Sequence, residues 1–125
     1  MSGSHGSPAL PQRALAAAGA VLCALAVGLA AYASHGVDGL AQQRLGTAAL
    51  FAFGHGLALA ALAPHARRPL GRLALCVVLL GVLLFAGTLA ASVLLGTGTR
   101  LAPTGGSALM VGWLLWAVAA SAAKE

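Results

Sequence analysis

The stretch TAALFAFGHGLALAALAP, residues 47–64, contains no charged residue and carries one histidine, His55, close to its middle. Its length and composition are those of a membrane-spanning helix. A polar ring without partners is costly in hydrocarbon, so ionisable residues at this depth usually face the interior of a helix bundle or a wet cavity. The stretch therefore predicts a transmembrane helix and makes His55 the first candidate for a functional site.

Small residues recur at every fourth position of the same stretch. A ridge of this kind lets a second helix approach closely, because no large side chain separates the two backbones. We expect the same role for two glycines of a later apolar segment, Gly81 and Gly87. The ridge in residues 47–64 consists of Ala48, Ala52, Gly56 and Ala60.

The composition of the whole chain is that of a membrane protein. Of 125 residues, 60% are hydrophobic and 7% are charged, with a mean hydropathy of +0.94, whereas soluble domains carry about 25% charged residues. The formal net charge of +5 does not indicate nucleic acid, because the few basic residues lie between apolar segments. In that position they act as topology signals. We therefore expect membrane lipids, and not nucleic acid, as partners.

Four apolar segments are long enough to cross a bilayer core of about 30 Å. The first has some features of a cleavable signal peptide, with Arg13 before it and a small-x-small ending at residues 31–33. Its apolar run is longer than a usual signal core of roughly 7 to 15 residues, so we predict a retained helix. The predicted fold is an all-α integral membrane four-helix bundle, with a disordered tail at 1–13 and helices at about 14–33, 45–63, 73–95 and 105–123.

The basic residues predict the orientation of this bundle. With four spans, both termini and the middle loop share one side and hold five basic residues, while the other two loops hold two. Basic loops are retained on the cytoplasmic side. We therefore expect both termini in the cytoplasm, and the short loops suit a bacterial inner (plasma) membrane. The five are Arg13, Arg67, Arg68, Arg72 and Lys124, and the two are Arg44 and Arg100.

Depth along the helices predicts a polar layer. At about 1.5 Å per residue, His55 lies roughly 15 Å below the outer face, Trp113 roughly 12 Å and Thr88 roughly 10 Å. An indole N–H at that depth needs a partner, and an imidazole nitrogen or a threonine oxygen qualifies. Two interpretations remain open. The layer is either a ligand, proton or ion site, or polar packing between helices worth about 0.6 to 2 kcal/mol.

A second polar group is expected above this layer, at the outer mouth of the bundle. His35 and Asp38 are three residues apart, which could place them on one helical face, and Arg44 follows on the same side of the membrane. On one face, the carboxylate would orient or charge the imidazole. Solvated loop residues at a membrane surface are the alternative for this group.

The sequence offers little for catalysis. It contains two acidic residues, one of them terminal, which leaves no paired-carboxylate chemistry. No nucleophile with a base, no phosphate loop and no metal-ligand spacing is present. The two cysteines, Cys23 and Cys76, fall inside apolar segments, where thiols behave as small hydrophobes. We therefore expect no enzyme activity, no cofactor and no metal.

An ordered set of short motifs runs through most of the chain. The motifs are Ser34-His35-Gly36, Arg44 with Gly46-Thr47-Ala48, His55-Gly56, Gly81 with Leu84-Phe85-Ala86-Gly87-Thr88-Leu89, Pro103-Thr104-Gly105-Gly106 and Gly112-Trp113. Together they resemble a known family, the small four-helix membrane proteins called domain of unknown function 423, which includes YgdD-like and transmembrane protein 256-like proteins. The resemblance covers about 14–120 and implies an inner-membrane protein with four helices, an uncleaved first helix and no established activity. This sequence is less polar around His55 than the family pattern.

Three functions are compatible with these observations. The first is a structural or accessory membrane protein, acting as a homo-oligomer or as a subunit of a larger membrane complex. The second is proton-coupled or small-solute transport that uses His55. The third is binding of a lipid or quinone-like molecule between helices. Transport requires a continuous water path past His55, and ligand binding requires a lateral opening.

Overall fold

The computed structural model describes residues 7–122, and four long α-helices make up most of them. All four are long and apolar enough to cross a membrane. A single 3₁₀ turn, Ala63–His65, follows the second helix. The described residues contain no strand, so the predicted all-α fold is confirmed. The helices are α1 (Leu10–His35), α2 (Gly39–Leu62), α3 (Pro69–Leu94) and α4 (Ala102–Ala122).

Most of the helices extend beyond the apolar runs that predicted them. The apolar runs mark the expected hydrocarbon-spanning parts, whereas helical geometry continues into polar flanking residues. The clearest case is the predicted tail at 1–13, because residues 10–13 already belong to α1. Two parts of these predictions lie outside the described residues, namely residues 1–6 of the tail and residue 123, the predicted end of the last helix.

Buried positions on the outer two helices recur with heptad spacing. Successive buried residues of α1 are three, four, three, four and seven positions apart, and those of α4 follow the same alternation. This period is typical of helices that pack side by side in a left-handed coil. α1 packs chiefly against α2 and α4 chiefly against α3, so the chain forms two helical hairpins. The α1 residues are Gln12, Leu15, Gly19, Leu22, Ala26 and Ala33.

Helices α2 and α3 join the two hairpins. The largest fully buried side chains all belong to these two helices, which therefore lie at the centre of the bundle. Fully burying a leucine or valine contributes about 1.5 to 3 kcal/mol relative to water. Inside lipid the gain comes from packing contacts instead. The residues are Leu45 and Leu59 of α2 and Leu75, Val78 and Val82 of α3.

Glycine brings the backbones of α1 and α2 into direct contact. A Cβ atom added to Gly56 would lie 2.6 Å from the carbonyl oxygen of Gly19, and one added to Gly19 would meet the carbonyl oxygen of Gly56. Both separations are shorter than van der Waals contact, and the obstructing atoms are backbone. No larger residue therefore fits at this crossing without moving a helix.

The second hairpin uses three glycines for the same purpose. A Cβ added to Gly81 would lie 2.8 Å from the Leu109 amide nitrogen, and one added to Gly112 would lie 2.6 Å from Val78 Cγ2. A Cβ added to Gly105 would collide with the backbone of Phe85. Gly105 and Gly112 are seven residues apart on α4, so the first part of its inner face lies close to α3.

The residues predicted for helix packing have different environments. Ala48, Ala52 and Gly56 are buried, Ala60 is half-buried, and Gly81 is buried. Gly87 is exposed, and a Cβ added to it would meet nothing within 4 Å. Gly87 therefore does not serve helix packing within this chain, because it lies on the side of α3 that faces away from the neighbouring helices.

One buried polar side chain ties α1 to the turn after α2. Gln12 is 5% exposed. Its Oε1 accepts a hydrogen bond from the Ala9 backbone N–H at 2.7 Å, and its Nε2 donates to the Ala66 carbonyl at 2.9 Å. The first bond satisfies a backbone donor at the start of α1. The second fixes the first turn of α1 next to the basic loop that precedes α3.

Two glycine substitutions in α2 test the backbone contact. We expect Gly56→Ala to lower the free energy of unfolding by about 1 to 3 kcal/mol, because the new methyl group cannot be accommodated at the crossing. Gly54→Ala is the matched control, since its Cβ would meet nothing within 4 Å and alanine favours the helix by up to about 1 kcal/mol. Denaturant titration in detergent micelles, followed by circular dichroism, measures both. Equal stability of the two variants would contradict the packing described here.

Candidate functional site

The candidate site is a cleft of about 490 Å³ between α2, α3 and α4. Along α4 it extends from Pro103 to Trp113, a rise of about 15 Å. It opens on the side of the helices where Met110 is 68% exposed. The lining residues are Phe51 and His55 of α2, Phe85 of α3, and Pro103, Gly106, Ser107, Leu109, Met110 and Trp113 of α4.

His55 is held in a defined orientation by its own helix. Its Nδ1 lies 2.8 Å from the carbonyl oxygen of Phe51, one turn earlier. A carbonyl oxygen can only accept, so Nδ1 carries the proton and donates. The Phe51 ring also stacks on the imidazole, with ring centroids 5.7 Å apart and planes 10° from parallel. In the neutral ring, Nε2 is therefore the acceptor.

Aromatic rings from the other two helices line the cleft around His55 and Phe51. The Trp113 ring lies 5.8 Å from the His55 ring, inclined at 42°. The Phe85 ring lies 4.7 Å from the Phe51 ring, inclined at 55°. These separations fall within the range of favourable aromatic pairs. The cleft consequently has an aromatic wall beside the edge of the imidazole.

Of the predicted polar layer, the structure brings two residues together and not the third. His55 and Trp113 share the cleft, whereas Thr88 lines a separate groove of about 530 Å³ with Arg100 and the loop before α4. Depth along a helix fixes the height of a residue but not the direction in which it faces. Phe85, one turn before Thr88, occupies the side of α3 that faces His55.

The predicted outer-mouth residues do not converge. His35 is the last residue of α1 and Asp38 precedes the first residue of α2, so they do not lie on one helical face. Both are exposed. Arg44 is half-buried and its Nη1 lies 3.5 Å from Ser92 Oγ, which in turn donates to the Leu89 carbonyl. Arg44 therefore links α2 to α3 and does not line the His55 cleft.

Sequence reasoning predicted Trp113 but missed the other two aromatic residues of the site. Phe51 and Phe85 look like ordinary lipid-facing side chains in an apolar run. A signal was present for Phe51, since it precedes His55 by four residues and so lies on the same helical face. No comparable signal pointed to Ser107 or Met110 on α4.

The titratable side chains of the described residues do not form a metal site. Within residues 7–122, no group of three or more histidine, cysteine or acidic side chains is close enough to hold a metal ion. Cys23 is half-buried and its Sγ lies 3.6 Å from the Phe53 carbonyl, while Cys76 is exposed. The candidate chemistry of the site therefore lies in the edge of one imidazole within an aromatic cleft.

The fold and the cleft define an all-α protein with four helices of membrane-spanning length and a lateral aromatic cleft. The chain belongs to the family described as protein of unknown function (DUF423), whose sequence pattern matches residues 29–106. This confirms the resemblance found in the sequence. The matched range includes His55, Phe51 and Phe85 and ends before Trp113. No curated protein and no solved structure matches the chain.

Replacing His55 with phenylalanine keeps an aromatic ring at this position but removes the hydrogen bond that the imidazole makes. We expect His55→Phe to change the free energy of unfolding by no more than about 1 kcal/mol, because the ring stack is retained. The Phe51 carbonyl also keeps its helical bond from the backbone N–H of residue 55. Denaturant titration in micelles is the measurement. A loss of several kcal/mol would show that the imidazole is a structural element of the bundle.

Proposed function

We propose that the protein is a non-enzymatic, multi-pass protein of the bacterial inner membrane that binds an apolar molecule with a polar head in the His55 cleft. The observation that supports this most is the cleft itself, an aromatic-lined opening with one oriented imidazole edge. Binding sites for small molecules are concave and mostly apolar, with a few placed polar groups. We also propose that both termini lie in the cytoplasm, because most of the basic residues lie in the segments assigned to that side.

The orientation of His55 narrows the class of ligand. Because Nδ1–H is committed to the Phe51 carbonyl, a neutral imidazole presents Nε2 as an acceptor. It would then hold a hydroxyl group of the ligand. The hydroxyl of Ser107, also on the cleft lining, can donate or accept. A lipid or quinol-like molecule with a hydroxylated head fits this arrangement.

An accessory role without a ligand is the second candidate. It is favoured by the scarcity of reactive groups, since His55 is the one ionisable residue on the cleft lining. In this case the protein would act as a homo-oligomer or as a subunit of a larger membrane complex. The residues around His55 would then pack against a neighbouring helix, and the cleft would be an interface.

Transport is the least supported of the three functions. A proton or solute path would connect the cleft to the outer face through residues such as His35 and Asp38. These side chains are exposed at the loop and do not line the cleft. The lining itself is aromatic and aliphatic apart from His55 and Ser107.

Native mass spectrometry of the protein released from its own membrane in mild detergent tests the proposal. We expect a bound small molecule on the wild type and a lower occupancy in His55→Phe, because the loss of one buried hydrogen bond weakens the affinity about tenfold. His35→Phe is the matched control, because it makes the same exchange outside the cleft, and it should keep the ligand.

Two results would contradict ligand binding at His55. One is a bound molecule whose occupancy is the same in His55→Phe and His35→Phe. The other is a wild-type protein without a small molecule but with a second protein attached, which would favour the accessory role.

A further inference from the structure

A second cavity, of about 280 Å³, lies at the opposite end of the hairpin α3–α4, beside the loop between α2 and α3. It is unrelated to the His55 cleft and shares no residue with it. The last turns of α4 form one wall. The lining residues are His65, Ala66, Arg67, Arg68, Gly71, Trp116, Ala119 and Ala120.

The rim of this cavity is cationic. Arg67, Arg68 and His65 are exposed on it. Two guanidinium groups at this end are positioned by backbone carbonyls. Arg68 Nη1 donates to the Ala122 carbonyl at 3.0 Å, and Arg72 Nη1 donates to the Arg67 carbonyl at 2.7 Å. A guanidinium has five N–H donors, so each group keeps donors for an anion.

No acidic side chain near the rim is found among residues 7–122. The one acid in that range, Asp38, precedes α2 at the other end of the helices, and Glu125 lies outside the described residues. Clustered arginine side chains favour an anionic partner, and the planar guanidinium matches the geometry of phosphate.

The floor of the cavity is apolar and shaped by small residues. Trp116 lies against Gly71, where an added Cβ would be 3.4 Å from the indole ring. Ala119 and Ala120 leave space beside the ring. Tryptophan is typical of the membrane interface, where one part of its ring is in hydrocarbon and its N–H is near headgroups. A basic rim over an apolar floor fits an amphipathic anion better than a free one.

We propose that this cavity binds an anionic phospholipid, with the phosphate held by Arg67 and Arg68 and an acyl chain lying over Trp116. The inference uses the membrane placement proposed above but not the His55 cleft. Basic pockets between helices on the cytoplasmic side are suited to anionic headgroups. The Gln12 bond to the Ala66 carbonyl would keep the loop in place for this contact.

Titration of the full chain in mild detergent with phosphatidylglycerol, and separately with phosphatidylcholine of the same acyl chains, tests this inference by native mass spectrometry. We expect the wild type to prefer phosphatidylglycerol. The double variant Arg67→Gln/Arg68→Gln should bind it about 30-fold more weakly, the effect of two basic residues at a membrane surface. His55→Phe should leave the affinity unchanged, which separates this site from the cleft.

Two further variants serve as controls. Arg13→Gln/Arg100→Gln has the same net charge as the first double variant but changes residues outside the cavity, so its affinity should stay within about twofold of the wild type. Ala120→Trp keeps every charge and fills the floor. It should weaken binding about tenfold, as for the loss of two buried methylene groups.

Three outcomes would overturn the inference. Equal affinity for the two lipids, or an equal loss in both double variants, would mean that only general charge attraction is present. Displacement of phosphatidylglycerol by millimolar inorganic phosphate would mean that the cavity recognises a free anion and not a lipid.

Discussion

The structure depends on contact between helix backbones at glycine. Gly19 and Gly56 allow α1 to touch α2, and Gly81, Gly105 and Gly112 allow α4 to touch α3. In a bilayer the helices gain little from hydrophobic burial, so close packing of backbones is a main source of association. The contact also has a consequence for the site. Because α4 lies close to α3 along its inner face, the residues on its adjacent side, Trp113 among them, reach α2 and complete the cleft around His55.

The protein has two cavities of opposite character, and their chemistry follows from their position along the helices. The His55 cleft lies within the apolar segments and is aromatic, with one imidazole oriented by the Phe51 carbonyl. The second cavity lies at the basic loop and combines arginine with Trp116. A single imidazole with Nδ1 committed to a carbonyl can hold a hydroxyl group at Nε2. Two arginines over an apolar floor can hold a phosphate. Both arrangements are suited to binding, which agrees with a chain that carries so few reactive groups.

The sequence predicted the helices well, because four charge-free runs of membrane length have few other structural solutions. It also predicted that Gly56 and Gly81 would lie at helix contacts. It did not predict on which side of α3 Gly87 and Thr88 lie, because the sequence indicates the depth of a residue along a helix but not the direction in which it faces. That direction depends on which side of α3 receives α2 and α4, and only the side towards α4 is marked by glycine contacts. Gln12 was missed because a glutamine before an apolar run looks like part of a polar tail, although it bonds across to Ala66.

A high-resolution structure of the protein, solved in a native lipid environment, would test whether the glycine-packed helices hold open a ligand site at His55. We expect elongated density in the cleft, with a polar atom at hydrogen-bonding distance, about 2.7 to 3.2 Å, from His55 Nε2. We also expect Trp113 to keep its place beside the imidazole. A cleft filled by a helix of another copy or another protein, or closed by α4 packing directly onto α2, would contradict a ligand site at His55.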